Sequence, residues 1–222
     1  MAVGPEQQGT TGNGAAHPEP PGDLRARALP LISEGGPWAR AYRLAYPPKY
    51  FGRGGDQRFD DPARQFGVCY CGDGPTCAFI ETLPTPTELG ARTVLGVREA
   101  ALLARGWATV TLREGAAPLR LVDLTGSGLA LVGANADLCS CPDYGVPQRW
   151  SRALWSHPDQ PDGILYRARH DPSLLSLALF DDRAEAWIDM VARGAWSAHA
   201  NRATLRALLA RYRVRIIPDA RS

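Results

Sequence analysis

Residues 56–81 read DQRFDDPARQFGVCYCGDGPTCAFIE, and their pattern decides the class of fold. An arginine and an aromatic, Arg58-Phe59, open the stretch; a polar turn follows, then the apolar run Phe66-Gly67-Val68-Cys69-Tyr70-Cys71. That run reads as a short strand. Gly72-Asp73-Gly74-Pro75 makes the turn after it, a helix begins near Pro75-Thr76, and the segment ends on the carboxylate of Glu81. On a strand, Cys69 and Cys71 share one face and Tyr70 looks to the other. One cation, one phenol and one carboxylate at the ends of adjacent elements suit a pocket for a polar, anionic ligand.

Outward from this stretch, strands and helices are interspersed. Upstream, residues 38–44 alternate with period two and predict a first strand, followed by a shaped loop of two prolines, glycines and aromatics at 46–55. Downstream, strands are expected at 107–112, 119–124, 163–166, 174–180 and 212–217. Helices are expected at 97–103, 146–155, 182–191 and 197–209, and the prolines at 84 and 86 read as a break. Residues 1–23, rich in Gly, Pro and Gln, predict a disordered tail. A domain follows over 24–222, its first regular strand expected near Trp38. The fold class is α+β, a small mixed or antiparallel sheet with peripheral helices.

Composition narrows the function. A chain of 222 residues, 45% hydrophobic and 22% charged, is an ordinary globular domain. No run approaches the ~18 apolar residues of a membrane span, and the first residues lack a signal pattern, so a cytoplasmic protein with no membrane contact is expected. A net charge of +2 gives no general case for nucleic-acid binding. The cations are almost all arginine, Lys49 being the one lysine. The five cysteines, Cys69, Cys71, Cys77, Cys139 and Cys141, are odd in number and unsuited to a disulfide framework. Buried thiols are the expectation, with zinc as the alternative despite CxC spacings shorter than structural zinc sites prefer. GxGxxG, Walker, HExxH and Ser-His-Asp signatures are absent.

Each candidate residue admits two readings. Arg58, flanked by Asp56, Asp60 and Asp61, is a solvated ion-paired arginine or a guanidinium aimed at phosphate. Tyr70 is a core phenol or a pocket wall. Glu81, directly after Cys77-Ala78-Phe79-Ile80, either emerges to solvent or is held at a cleft. The turn carrying Tyr166, Arg167, Arg169 and His170 is surface or the far wall of an anion site.

Several of these residues fall into an ordered set: Tyr42-Arg43; Arg58-Phe59 before Phe66-Gly67-Val68-Cys69-Tyr70; Ala78-Phe79-Ile80-Glu81; then Gly163-Ile164-Leu165-Tyr166-Arg167-Ala168-Arg169-His170 and Leu177-Ala178-Leu179-Phe180. The set, within residues 38–180, resembles the RES-domain family, toxins of prokaryotic Xre–RES toxin–antitoxin pairs. The resemblance implies an ADP-ribosyltransferase-like α+β fold that degrades NAD+, with phosphate or water as acceptor and NAD+ as substrate rather than bound cofactor. It implies an Xre-like helix-turn-helix antitoxin as partner, and allows a homo-oligomer within the toxin–antitoxin complex. A macromolecule as ADP-ribose acceptor is the alternative. Carried over by motif, Glu81, Arg58 and Tyr70 form the catalytic set. Arg43 and Arg58 face the pyrophosphate, Tyr42 and Tyr70 line the nicotinamide-ribose pocket, and Ala168, Arg169 and His170 complete the substrate site, with no metal. The departure is Ala168, which stands where the family pattern has serine. A methyl group donates no hydrogen bond, a loss of about 1–3 kcal/mol in a closed site. A slowed enzyme, a subfamily using Ser173 or Ser176, an inactive relative and an active-site mutant are the options that follow.

Overall fold

The computed structural model describes residues 18–89 and 91–219. The strands in chain order are β1 Leu31–Glu34, β2 Trp38–Arg43, β3 Val68–Gly72, β4 Thr85–Leu89, β5 Arg92–Arg98, β6 Arg105–Leu112, β7 Leu119–Leu124, β8 Gly163–Arg167, β9 Leu175–Phe180, β10 Ile188–Ala195 and β11 Arg215–Ile217. The helices are α1 Pro75–Ile80, α2 Glu99–Leu103, α3 Ser127–Val132, α4 Asp137–Ser140, α5 Gly145–Trp155, α6 Asp181–Ala184 and α7 Arg202–Arg211.

Eight strands form one sheet in the order β1-β7-β8-β9-β3-β2-β6-β10, and β11-β5-β4 form a second. Only β7–β8 and β5–β11 run parallel. This is the expected α+β class with a mixed sheet, wider than the small sheet anticipated. The large sheet is thinly joined at its middle: β2 and β3 pair at one position, Ala39 opposite Gly72. Arg40 spans the seam, its Nη1 donating to Cys69 Sγ at 2.9 Å and to the Tyr70 carbonyl at 3.2 Å.

Three apolar clusters fill the layers. One face of β7-β8-β9-β3 packs under α5 through Trp150 and Leu154, with Phe59 and Phe66 from the β2–β3 loop. The other face gathers Trp38, Cys69, Cys71, Leu177 and Ile188. A third cluster, Phe79, Val97, Trp196 and Leu208, sits where α1, β5 and α7 meet β6 and β10. The period-two phase of β3 is therefore as predicted, with both cysteines on one face and Tyr70 packed on the other. The turn into α1 depends on Gly72, where a Cβ would lie 2.5 Å from that of Cys77.

The structure corrects several element assignments. Residues 182–191 do not form one helix: α6 and a 3-10 turn, Glu185–Trp187, occupy the first part, and β10 begins at Ile188. Ile188 and Met190 face the second cluster while Asp189 and Val191 are exposed, so pairing with β6 overrides the helix-forming run before them. Thr85–Leu89 is a strand after Pro84 rather than part of a break, and β4 lies at the sheet edge, where a proline such as Pro86 is tolerated. The helix expected from Val97 is confined to α2, and Val97 and Arg98 belong to β5. Ahead of Trp38, where the stretch from Leu24 to Ile32 admitted an edge strand or a short helix, β1 pairs with β7 at the sheet edge, and Leu24 and Leu29 are buried. Of the expected tail, residues 1–17 lie outside the described residues. Residues 18 and 19 touch α5, where Trp150 Nε1 donates to the Pro18 carbonyl and Arg149 pairs with Glu19.

Candidate active site

Arg58 lies in the long loop between β2 and β3, and that loop is pinned to α5. Phe59 is fully buried and meets the Tyr166 ring edge-on at 4.9 Å. Ser151 Oγ donates to the Phe59 carbonyl at 2.6 Å, and Gln148 Nε2 donates to the carbonyls of Gly55 and Gln57. Arg152 binds both oxygens of the buried Asp61, at 2.9 and 3.1 Å. Burial pushes the Asp61 carboxyl up, but the Gln65 and Ala63 amides and Arg152 outweigh it and hold it below the usual range.

Asp60 and Asp61 are thus committed elsewhere. Asp60 accepts from the Tyr70 hydroxyl at 3.0 Å and from the amides of Gly55 and Gln57 at 3.1 Å each. Arg58 itself is 7% exposed, with no carboxylate partner among the described residues. Its Nη1 donates to the Leu138 carbonyl at 3.3 Å and approaches Cys141 Sγ at 3.7 Å, the guanidinium lies 4.9 Å from the Tyr144 ring centre, and Nη2 is buried without a partner. A buried donor left open is costly unless something fills it. The solvated, ion-paired reading of Arg58 is therefore not what the structure shows.

The Tyr70 hydroxyl is spent inside the protein. It donates to Asp60 and accepts from the Phe59 amide at 2.9 Å, so it ties β3 to the two residues that follow Arg58. Burial and then the Asp60 charge push its phenol well above the ordinary value. Only its ring is available to a ligand.

Glu81 closes α1, at the end where the backbone carbonyls already disfavour a carboxylate. Its Oε1 is held by the His170 amide at 2.8 Å. Tyr166, on the central strand β8, joins the parts: burial, then the Glu81 carboxylate and Cys139 and Cys77, push its phenol up, and Arg58 pulls the other way. The Tyr166 phenol thus feels both the Glu81 carboxylate at the end of α1 and the Arg58 guanidinium of the β2–β3 loop.

Ala168 is 1% exposed and lines a cavity of about 230 Å³ with Cys139, Ser140, Arg167, Arg169 and the apolar side chains of Leu124 and Leu129. Neither serine considered as a substitute reaches this wall. Ser173 Oγ donates to Asp171 at 2.6 Å, and Ser176 Oγ lies 3.3 Å from Cys77 Sγ. Ser140 does line the cavity, its hydroxyl donating to the Ala136 carbonyl at 3.1 Å. The His170 and Arg169 side chains are exposed on the same turn.

Tyr42 and Arg43 are not drawn into this constellation. They end β2 opposite Gly106 and Arg105 of β6, and neither bonds to Arg58, Tyr70, Glu81 or His170. Ala41 packs with Trp107 in the third cluster, so Tyr42 faces the opposite side of the sheet, that of Arg40. The sequence reading missed the roles of Asp60 and Tyr144 in holding this site, while Tyr166 stood in the turn offered as the far wall of an anion site. The Asp60-Asp61 doublet after Phe59 was a usable signal, because adjacent acids in an apolar context need partners; Tyr144 gave none.

The model of the RES domain matches residues 36–201. The chain belongs to the RES-domain family. The match takes in every candidate residue from Tyr42 to His170 and stops where α7 begins. A relative, the probable toxin y4kH of Sinorhizobium fredii (strain NBRC 101917 / NGR234), is 38% identical over 64 residues, 29% of this chain and 50% of the relative. The match thus spans about half of that relative's length. The fold is similar to a chain in the crystal structure of the M. tuberculosis MbcT–MbcA toxin–antitoxin complex. The TM-score is 0.57 at 20% identity, covering 84% of this chain and 94% of that one. In this RES domain no group of three or more His, Cys, Asp or Glu is placed to hold a metal ion, among the described residues. No described helix is long and apolar enough to cross a membrane.

Proposed function

We propose that this RES domain is the toxin of a toxin–antitoxin pair and cleaves the nicotinamide–ribose bond of NAD+. The observation that carries the proposal is Arg58: a buried guanidinium with an open amine and, among the described residues, no carboxylate partner. A pyrophosphate supplies the missing acceptor. With the diphosphate on Arg58, the ribose extends toward Glu81 and the Tyr166 wall. As the C–N bond breaks, nicotinamide leaves neutral with the bonding pair, and the anomeric carbon becomes oxocarbenium-like. The Glu81 carboxylate, fixed by the His170 amide, stabilises that charge. An oxygen of phosphate, or of a water that releases a proton to solvent, then bonds to the carbon, and Arg167 and Arg169, which line the cavity with Ala168, are the cations offered to a phosphate acceptor. The partner is an Xre-like antitoxin, and the protein acts in the cytoplasm.

Ala168 favours a second reading. A methyl group stands in the cavity wall, so the domain binds NAD+ without turning it over. Purified protein incubated with NAD+, with and without phosphate, separates the two. Nicotinamide release that requires Glu81 supports cleavage, and binding by calorimetry without release supports the second reading. The absence of both in this chain and in Ala168→Ser removes the proposal.

A further inference from the structure

Of the five cysteines, Cys69, Cys71, Cys77 and Cys139 are buried and Cys141 is not. Cys141 follows α4 and sits against the most unusual cation of the molecule, its sulfur 3.7 Å from Arg58 Nη1. Its thiol donates to the Asp143 carbonyl at 2.9 Å, so the loop holds the sulfur in place beside the guanidinium. The same short segment supplies the Leu138 carbonyl to Arg58 at 3.3 Å and the Tyr144 ring against its plane. The second guanidinium amine is buried and lacks an acceptor. An oxygen bonded to this sulfur and turned toward the guanidinium comes within hydrogen-bond range of Arg58 Nη1.

We infer that Cys141 is an oxidative modification site that switches the Arg58 anion site off, a regulation that rests on the reading of Arg58 as the phosphate anchor. The reactant is a hydroperoxide. Sulfur attacks one peroxide oxygen, an S–O bond forms and the O–O bond breaks. The departing hydroxide takes up the thiol proton as water; sulfur is oxidised by two electrons and the peroxide reduced by two. The product, a sulfenic acid, places an acceptor oxygen at Nη1, the amine that Cys141 faces, next to the open Nη2 offered to a ligand phosphate. The modification and the diphosphate then compete for one guanidinium.

Exposure of the folded protein to a few equivalents of hydrogen peroxide, with a cyclic 1,3-dione to trap sulfenic acid, tests this by peptide mass spectrometry. Cys141 is expected to label about tenfold or more ahead of the four buried thiols, from its accessibility alone. Arg58→Gln should lower the labelled fraction of Cys141 several-fold by removing the donors that hold the product. The affinity for ADP-ribose, a ligand with nothing left to cleave, should fall by about tenfold or more after oxidation, the cost of losing a charge-assisted pair. Cys141→Ser, treated alongside, should keep the affinity it had before peroxide. Equal labelling of all five cysteines, labelling indifferent to Arg58, or unchanged ADP-ribose binding after Cys141 is labelled overturns the inference. If untreated protein fails to bind ADP-ribose, the functional reading fails by itself. The labelling order and its dependence on Arg58 still decide whether Cys141 is a modification site.

Discussion

Arg58 is held by one carbonyl, one ring and one sulfur, and it leaves a buried amine open. Such a residue lowers stability rather than raising it. Arg58→Met, which keeps the stem and discards the charge, is therefore expected to leave the melting temperature unchanged or higher while abolishing NAD+ consumption. A fall of several degrees would show that Arg58 is structural instead. Glu81→Gln isolates the charge, since the amide oxygen still accepts from His170 and the fold is kept. Loss of the carboxylate should reduce nicotinamide release about a hundredfold or more, as removal of an electrostatic stabiliser does elsewhere. Steady-state kinetics with ADP-ribose inhibition as a binding control reads this directly. At Ala168 the direction reverses. A hydroxyl restored to the cavity wall by Ala168→Ser is worth about 1–3 kcal/mol, hence roughly ten- to a hundredfold in rate if it meets the reacting ribose. An unchanged rate would place the reaction away from that wall.

At the scale of elements, the strand Val68–Gly72 and the loop before it act as a unit joined by one phenol. Tyr70→Phe leaves Asp60 short of a donor and the Phe59 amide short of an acceptor, so it should cost about 1–3 kcal/mol of stability. It should also lower activity by loosening Arg58. Urea denaturation at neutral pH checks the first part, and activity measured well below the midpoint checks the second. A variant with wild-type stability and reduced activity would restore Tyr70 to direct ligand contact. The same stretch shows what the sequence made legible. Alternation of Cys69, Tyr70 and Cys71 placed each side chain on its correct face, and Pro75 at the start of α1 and Glu81 at its end were both visible, because these are local properties of backbone phase and turn chemistry. What the hydroxyl of Tyr70 bonds to was not visible, since Asp60 reaches it only after the loop folds back. β10 was misread for the same reason: its pairing with β6 lies about eighty residues away in sequence and outweighs the helix-forming run that precedes it. Tyr42 and Arg43 matched the motif and end β2 on its pairing with β6, where, among the described residues, no hydrogen bond joins them to Arg58 or Glu81.

For the whole molecule, the site exists because two layers are clamped together: the β2–β3 loop on one side and α5 on the other. The Asp61–Arg152 pair is the ionic part of that clamp. Asp61 has its carboxyl lowered in the folded state, so it contributes stability that is present above the unfolded value, near 4, and lost as pH falls through the folded value. Asp60 beside it has the opposite sign. Burial raises its carboxyl, and its contribution is present below the unfolded value and declines as pH rises through the folded one. The two neighbours therefore pull the pH profile of stability in different directions, and single substitutions separate them. Asp61→Asn should flatten the acid limb of the melting-temperature profile below about pH 4 and cost on the order of 1 kcal/mol at neutral pH, because half-exposed Arg152 is screened by solvent. Thermal unfolding followed between pH 3 and 7 decides it. If Asp61→Asn retains the full acid sensitivity of the parent, the clamp is held by Phe59, Ser151 and Gln148 alone. Arg58 would then be positioned by packing and neutral hydrogen bonds rather than by charge.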